Sequence, residues 1–269
     1  MKSKIVLITG GSSGIGRAVG GYLTSKGYSV YGTTRNLANN KDFSDFQLLE
    51  MDVRNPDSIQ NAVSKLIKIE GRLDILINNA GIGITGPLEE TPNEEVLKAF
   101  DTNFNGPLNA IKAVLPQMRI QKAGLIINIT SIAGYMGLPF RGIYSATKGA
   151  MEIITESLRM EAKDFGIHLT CLAPGDFATN IASGRYHAPI LENSPYKAPY
   201  ERTLAVIDED VDNGGNPLQV AKKILQIINT EKPKAHYKVG SFLQRFSIVL
   251  KKILPDIWYE KLIIKHSGL

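Results

Sequence analysis

Two kinds of apolar pattern alternate along the chain. Short runs rich in β-branched residues, KIVLIT, YSVYGTT, FQLLEM, LDILIN, GLIINIT and IHLTCLA, read as strands. Between them, near residues 14–26, 56–70, 93–120 and 142–165, apolar positions recur at helical spacing. Strands alternating with helices in this way are the sign of parallel βαβ units. The strand runs lack strict polar alternation, as expected where helices cover both faces of a sheet. The pattern therefore predicts an α/β chain with one doubly wound parallel sheet. After the sixth run the regularity stops, and residues 176–216 are rich in Pro, Tyr, Gly and Asn. A loop that long inside a compact domain reads as a lid or binding segment. Two amphipathic basic segments, Phe242 to Leu254 and Asp256 to Lys265, close the chain. Packing on the core or on a second subunit is expected for them ahead of membrane contact.

The 269 residues suffice for one large core, and a single domain is expected: residues 1–240 carrying catalysis and the lid, with residues 241–269 as a helical extension of it. The single cysteine, Cys171, excludes an internal disulfide and fits a reducing compartment. With no signal-peptide pattern and no run of apolar residues long enough to span a bilayer, a cytoplasmic location is expected. The net charge is +5, but bases and acids are interspersed and no nucleic-acid-binding motif is present, so no nucleic-acid partner is expected. The four histidines, His168, His187, His236 and His266, lie far apart without metal-ligand spacing, and no metal is expected.

LITGGSSGIGRA sets Gly10, Gly14 and Gly16 between the first strand and the first helix. Glycine lets the backbone approach a pyrophosphate closely, and the free N–H groups of the helix end attract its charge. The spacing is GxxxGxG rather than GxGxxG, but the strand–turn–helix context supports a Rossmann dinucleotide site. The second strand ends YGTTRN, where an NAD site normally offers a carboxylate to the adenosine ribose. Thr34 stands there instead, followed by Arg35, whose guanidinium suits a 2′-phosphate. NADP(H) is expected over NAD(H).

The spacing Tyr-x-x-x-Lys occurs twice, as YLTSK from Tyr22 and as YSATK from Tyr144. Each places a phenol and an ammonium on one helical face. NNAG (Asn78 to Gly81), NITS (Asn128 to Ser131) and APGDFAT (Ala173 to Thr179) follow the fourth, fifth and sixth strands, at the carboxyl edge where such sheets bind ligands. YLTSK begins six residues after Gly16, down the first helix and away from that edge, so surface packing is its expected role.

Together with TGGSSGIG and YSATK, these motifs make the sequence resemble the short-chain dehydrogenase/reductase family over about residues 4–180. The resemblance implies a catalytic tetrad of Asn103, Ser131, Tyr144 and Lys148, with Asn103 helping to hold a water. It implies phosphate contacts from Gly10, Ser12, Ser13, Gly14, Ile15 and Gly16, with Ser12 also near the 2′-phosphate. Asp52 and Val53 match the adenine-contacting pair, while Asn79, Ala80 and Gly81 line the adenosine side. Lys148 and Tyr144 reach the nicotinamide end, and Pro174, Gly175 and Thr179 match the segment near its carboxamide. The implied reaction is carbonyl–alcohol interconversion by hydride transfer, with Tyr144 as general acid/base and Ser131 stabilising the developing oxyanion. GIGITGPL and GYMGLPF resemble the substrate borders of steroid and retinol dehydrogenases, so a hydrophobic small molecule is expected. A homo-oligomer follows from the same resemblance. The competing reading is a nucleotide-bound regulatory or scaffold protein of this fold without useful turnover.

Overall fold

A computed structural model describes residues 3–177, 184–212 and 214–269. Seven parallel strands form one sheet: β1 (Ile5–Ile8), β2 (Ser29–Thr34), β3 (Gln47–Glu50), β4 (Ile75–Asn78), β6 (Gly124–Ile129), β7 (Ile167–Pro174) and β9 (His236–Val239). Their order is β3-β2-β1-β4-β6-β7-β9, so the chain reverses its direction of travel between β1 and β4. All six strands read from the sequence are present; the seventh, β9, was not foreseen. A two-stranded sheet pairs β5 (Ile84–Thr85) with β8 (Tyr186–His187).

Neighbouring residues within one strand feed opposite cores. Leu7, Leu76, Ile126 and Leu169 face one apolar layer with Ile59, Leu66, Ile111 and Met118. Val6, Ile8, Ile77 and Ile127 face the other, with Val19, Leu23, Val220 and Ile224. The first layer is supplied by α2 (Pro56–Glu70) and α4 (Gly106–Gln121), the second by α1 (Gly14–Thr24) and α7 (Leu218–Ile228). Both faces are covered, which is why the strands read as continuous apolar runs.

Local chemistry sets the helix ends. Asn55 caps α2 by accepting from the N–H groups of Asp57 and Ser58, and Gly71 stops it at φ 73°. The helix expected over 93–120 is interrupted: α3 (Asn93–Phe100) runs through a π-helical turn at Asp101–Asn105 into α4. The helix expected to reach residue 165 ends earlier, as α5 (Gly142–Glu161), followed by a 3-10 turn at Lys163–Phe165. Residues 176–216 are not a continuous loop, since α6 (Lys197–Asp212) occupies much of them. Tyr200 of α6 is buried, its hydroxyl 3.0 Å from the Thr85 carbonyl oxygen, which fixes this segment over β5.

The last helices, α8 (Phe242–Ile253) and α9 (Asp256–His266), pack inward through Ile248 and Tyr259 on Ile132 and Met136. Among the described residues, no helix is long and apolar enough to cross a membrane.

Candidate active site

A cleft of about 640 Å³ runs along the carboxyl ends of the strands. Its floor at one end is the turn between β1 and α1. Gly10 and Gly14 lie there at φ 64° and 51°, a left-handed backbone that disfavours side chains. Gly16 does not line the cleft; it lies behind the turn, where an added Cβ would sit 2.3 Å from the Gly10 carbonyl oxygen and 2.6 Å from Asn79 Nδ2. Ser12, Ser13, Gly14 and Ile15 all face the cleft. Ser13 is the N-cap of α1, makes no side-chain cap bond, and no acid occupies the first turn. The turn thus offers a helix N-terminus whose N–H groups and hydroxyls suit an anion.

The residues expected on the adenosine side reach the same cleft from three more strand ends. Arg35 follows β2; Asp52 and Val53 follow β3; Asn79, Ala80 and Gly81 follow β4. Arg17 on α1 is not available to a ligand in this arrangement, because Asp45 holds its guanidinium at 2.6 Å. Asp52 is paired with Arg54 at 2.8 Å, which holds its carboxyl below the ordinary range. Thr34 accepts a hydrogen bond from Asn40 Nδ2 at 3.0 Å. Asn79 does structural work as well, since its Nδ2 donates to the carbonyl oxygens of Thr9 and Gly10, both at 3.0 Å. The glycine turn is therefore fastened to the end of β4.

At the other end, Ser131, Tyr144 and Lys148 face the cleft together. Ser131 ends the stretch after β6, and its Oγ accepts from the Ala133 N–H at 3.2 Å. Lys148 is buried and donates from Nζ to the Ile129 carbonyl oxygen at 3.0 Å, with Nζ 5.9 Å from the centre of the Tyr144 ring. A charge so confined keeps one position relative to the phenol. Asn103 comes from the π-helical turn and is not on the cleft surface. Its Oδ1 accepts from the Ile82 N–H at 2.8 Å and its Nδ2 donates to Ile82 O and Thr147 Oγ1. It ties α4 and α5 to the strand end that carries Gly81. Pro174 and Gly175 close this end; Thr179 lies outside the described residues.

Two arginines near Tyr144 escaped the sequence reading. Arg141 stacks over the Tyr144 ring at 5.7 Å, a contact visible in retrospect from its i−3 position. Arg185, beside β8, has a side chain only 5% exposed, 3.7 Å from Asp208, and its Nη1 has no hydrogen-bond partner among the described residues. Burial, with Arg141 nearby, lowers its pKa from the ordinary guanidinium range. Nothing local in the sequence marks it, because it is brought in by the β5–β8 pairing. The substrate end is thus bordered by Ile84 and Phe177 but also carries positive charge.

Beneath the site lies a buried polar cluster. Glu152, one turn after Lys148, accepts from Thr130 and, at 2.8 Å, from Tyr135. His236 of β9 bridges Glu152 at 2.5 Å and Glu156 at 2.7 Å. Ligand atoms of Glu152, Cys171 and His236 fall within 4.8 Å of one another. Both oxygens of Glu152 and both nitrogens of His236 are already used in these protein contacts.

A reversal point between β1 and β4, a glycine turn opening a helix, and a Tyr–Lys pair at the same edge define a nucleotide-binding α/β protein. The comparisons agree with that class. The family model for short chain dehydrogenase matches residues 4–189. A 3-ketodihydrosphingosine reductase of Bacteroides thetaiotaomicron is 40% identical over 257 residues, covering 95% of each chain. Among solved structures, a short-chain dehydrogenase from Streptomyces avermitilis superposes with a TM-score of 0.82 at 29% identity over 97% of both chains. The protein ElxO with NADP bound gives 0.74 at 30% identity, covering 88% of this chain and 97% of its own. The chain belongs to the short-chain dehydrogenase/reductase family of oxidoreductases.

Proposed function

We propose that the protein is an NADP(H)-dependent reductase of a hydrophobic ketone, running the alcohol oxidation in reverse. The reading rests on one observation: Ser131, Tyr144 and Lys148 line the same cleft as the glycine turn. The cleft fits a dinucleotide, because its phosphate end is formed by Gly10 and Gly14, whose left-handed backbone disfavours side chains, and a Cβ on Gly10 would also press on Ala80 at 3.1 Å. Gly10, Ser12, Ser13, Gly14 and Ile15 would hold the phosphates, and Lys148 and Tyr144 the nicotinamide end. A bound nicotinamide supplies hydride to the carbonyl carbon or takes it from the alcohol.

The chain's own residues manage the proton and the charge. Ser131 donates a hydrogen bond to the substrate oxygen and lowers the cost of its developing negative charge. Tyr144 gives its proton to that oxygen in reduction and takes it back in oxidation. Lys148, held on the Ile129 carbonyl oxygen, keeps its ammonium beside the Tyr144 ring. Asn103 positions Gly81, Ile82 and Thr147 rather than touching the substrate.

The cofactor preference is supported by Arg35, which faces the cleft where an NAD site would carry an acid. ElxO, the relative with NADP bound, agrees with it. The name of the Bacteroides relative points to a long-chain amino-ketone as the first substrate to try.

The test is nicotinamide absorbance with NADPH and NADH against a panel of ketones and aldehydes that includes 3-ketodihydrosphingosine. NADPH oxidation by the wild type, lost in Tyr144→Phe, is the expected result. Stoichiometric NADPH binding without turnover across the panel would instead favour a regulatory protein.

A further inference from the structure

We propose that the face formed by α7, β9, α8 and α9 docks on an anionic phospholipid surface. Amphipathic helices normally bury their apolar stripe, and α8 has two. Ile248 points into the core, whereas Phe242, Phe246, Val249 and Ile253, spaced four, three and four residues apart, are exposed. Phe242 and Phe246 stack with ring centres 5.6 Å apart on that outer stripe. Leu243 of α8, 75% exposed, and Ile257 and Trp258 of α9, the latter 66% exposed, add further unburied apolar side chains. This concentration of exposed apolar side chains, a tryptophan among them, on the two closing helices calls for a partner. Its position adjoins the substrate end of the cleft, because Gln244 of α8 donates to Asp176 at 2.7 Å and packs against Gly175.

Charge decides which partner. Residues 241–269 carry Arg245, Lys251, Lys252, Lys261 and Lys265 against only Asp256 and Glu260. Among the described residues Lys251 is paired with Asp256, and the other four cations have no salt-bridge partner. Beside the exposed stripe lies a second groove, of about 310 Å³, lined by Lys222 and Lys223 of α7, Lys238 of β9 and Arg245 of α8, with no carboxylate in its wall. Burial and the neighbouring Lys252 hold the Lys238 ammonium below its ordinary pKa, against the opposing pull of Glu152. A second copy of the chain would bring this face against itself and oppose like charges across a two-fold axis. A bilayer satisfies both halves: acyl chains receive Phe242, Leu243, Ile253 and Trp258, and headgroup phosphates enter the basic groove.

The inference goes beyond the proposed reductase activity, and its test needs no turnover. The intact protein is sedimented with vesicles of phosphatidylcholine alone or containing phosphatidylglycerol, at rising salt. Expected are strong binding to the anionic vesicles, weak binding to the neutral ones, and release by salt. Replacing Lys222→Gln with Arg245→Gln should weaken binding about thirtyfold, at about fivefold per cation. Leu243→Ser with Trp258→Ser should weaken it at least tenfold, with NADPH binding and melting temperature unchanged in both pairs. Equal binding to neutral and anionic vesicles, or none to either, overturns the proposal on the wild type alone. So does displacement by millimolar inorganic phosphate, which would make the groove a soluble-anion site. A dimer by light scattering that becomes monomeric in the Leu243/Trp258 pair would also overturn it.

Discussion

Tyr144 and Tyr22 each stand four residues before a lysine, and the distances from ammonium to ring centre, 5.9 Å and 5.4 Å, hardly differ. What separates them is everything around the pair. Lys148 is buried and hydrogen-bonded to the end of β6, beside the cleft, whereas Lys26 is exposed in the turn just after α1. Pair geometry alone does not separate the two tyrosines; confinement of the charge at a strand end is what supports the role proposed for Tyr144. Tyr144→Phe is therefore expected to lower kcat at least a hundredfold with NADPH affinity little changed, while Tyr22→Phe leaves turnover within twofold; steady-state rates and cofactor titration check both. Arg35 is judged by the same kind of argument. If it pairs with a 2′-phosphate, Arg35→Ala removes a charge-assisted bond worth about 2 kcal/mol and raises KM for NADPH about thirtyfold, leaving KM for NADH unchanged. Gly16 acts without touching ligand. A methyl group there would press on the Gly10 carbonyl and the Asn79 amide, so Gly16→Ala should cost about 2 kcal/mol in urea denaturation and weaken cofactor binding.

At the level of elements, legibility followed locality. β1, β2, β4, β6 and β7, all mostly buried, and the glycine turn are runs of adjacent residues whose character is set by their surroundings on both faces, and they are readable; β3, with only Leu49 buried, is readable from its short apolar run. β9 was not, because His236, Tyr237, Lys238 and Val239 are all only half-buried at the sheet edge and mix polar with apolar types. α6 falls in the segment 176–216 that reads as loop from its Pro, Tyr, Gly and Asn, yet its one proline, Pro199, falls in the first turn, where a missing N–H breaks no helical bond. The π-helical turn inserts its extra residue without disturbing the apolar periodicity that predicted one helix. Within the site, the residues in motifs were readable, whereas Arg185 and the cluster under α5 depend on contacts between distant segments. That cluster carries a prediction of its own. Glu152 is 5% exposed and joins β6, α5 and β9 through Thr130, Tyr135 and His236. Glu152→Ala leaves those polar partners buried without a carboxylate and should cost about 3 kcal/mol, measured by urea denaturation, with β9 amides losing hydrogen-exchange protection first.

Over the whole molecule, the carboxyl ends of the strands gather both the cleft-lining residues and many of the buried polar groups. Two histidines outside the proposed proton transfer set an expectation for stability. Burial lowers the pKa of His168 on β7, assisted by Arg159, and likewise that of His187 on β8, assisted by Arg185. A histidine depressed in the folded state binds protons more readily when unfolded, so the unfolded chain gains protons first as pH falls. The contribution is fully present above the unfolded value of about 6.5 and is lost as pH drops through that value toward the lower folded one. Asp45 and Asp52 are shifted down by Arg17 and Arg54, so their contributions persist through this window and fail only below about pH 4. The window between pH 7.5 and 5.5 therefore isolates the histidines. The melting temperature of the wild type should fall further across it than that of His168→Gln with His187→Gln, and parallel curves for the two proteins would show that neither imidazole is disfavoured as a cation in the fold.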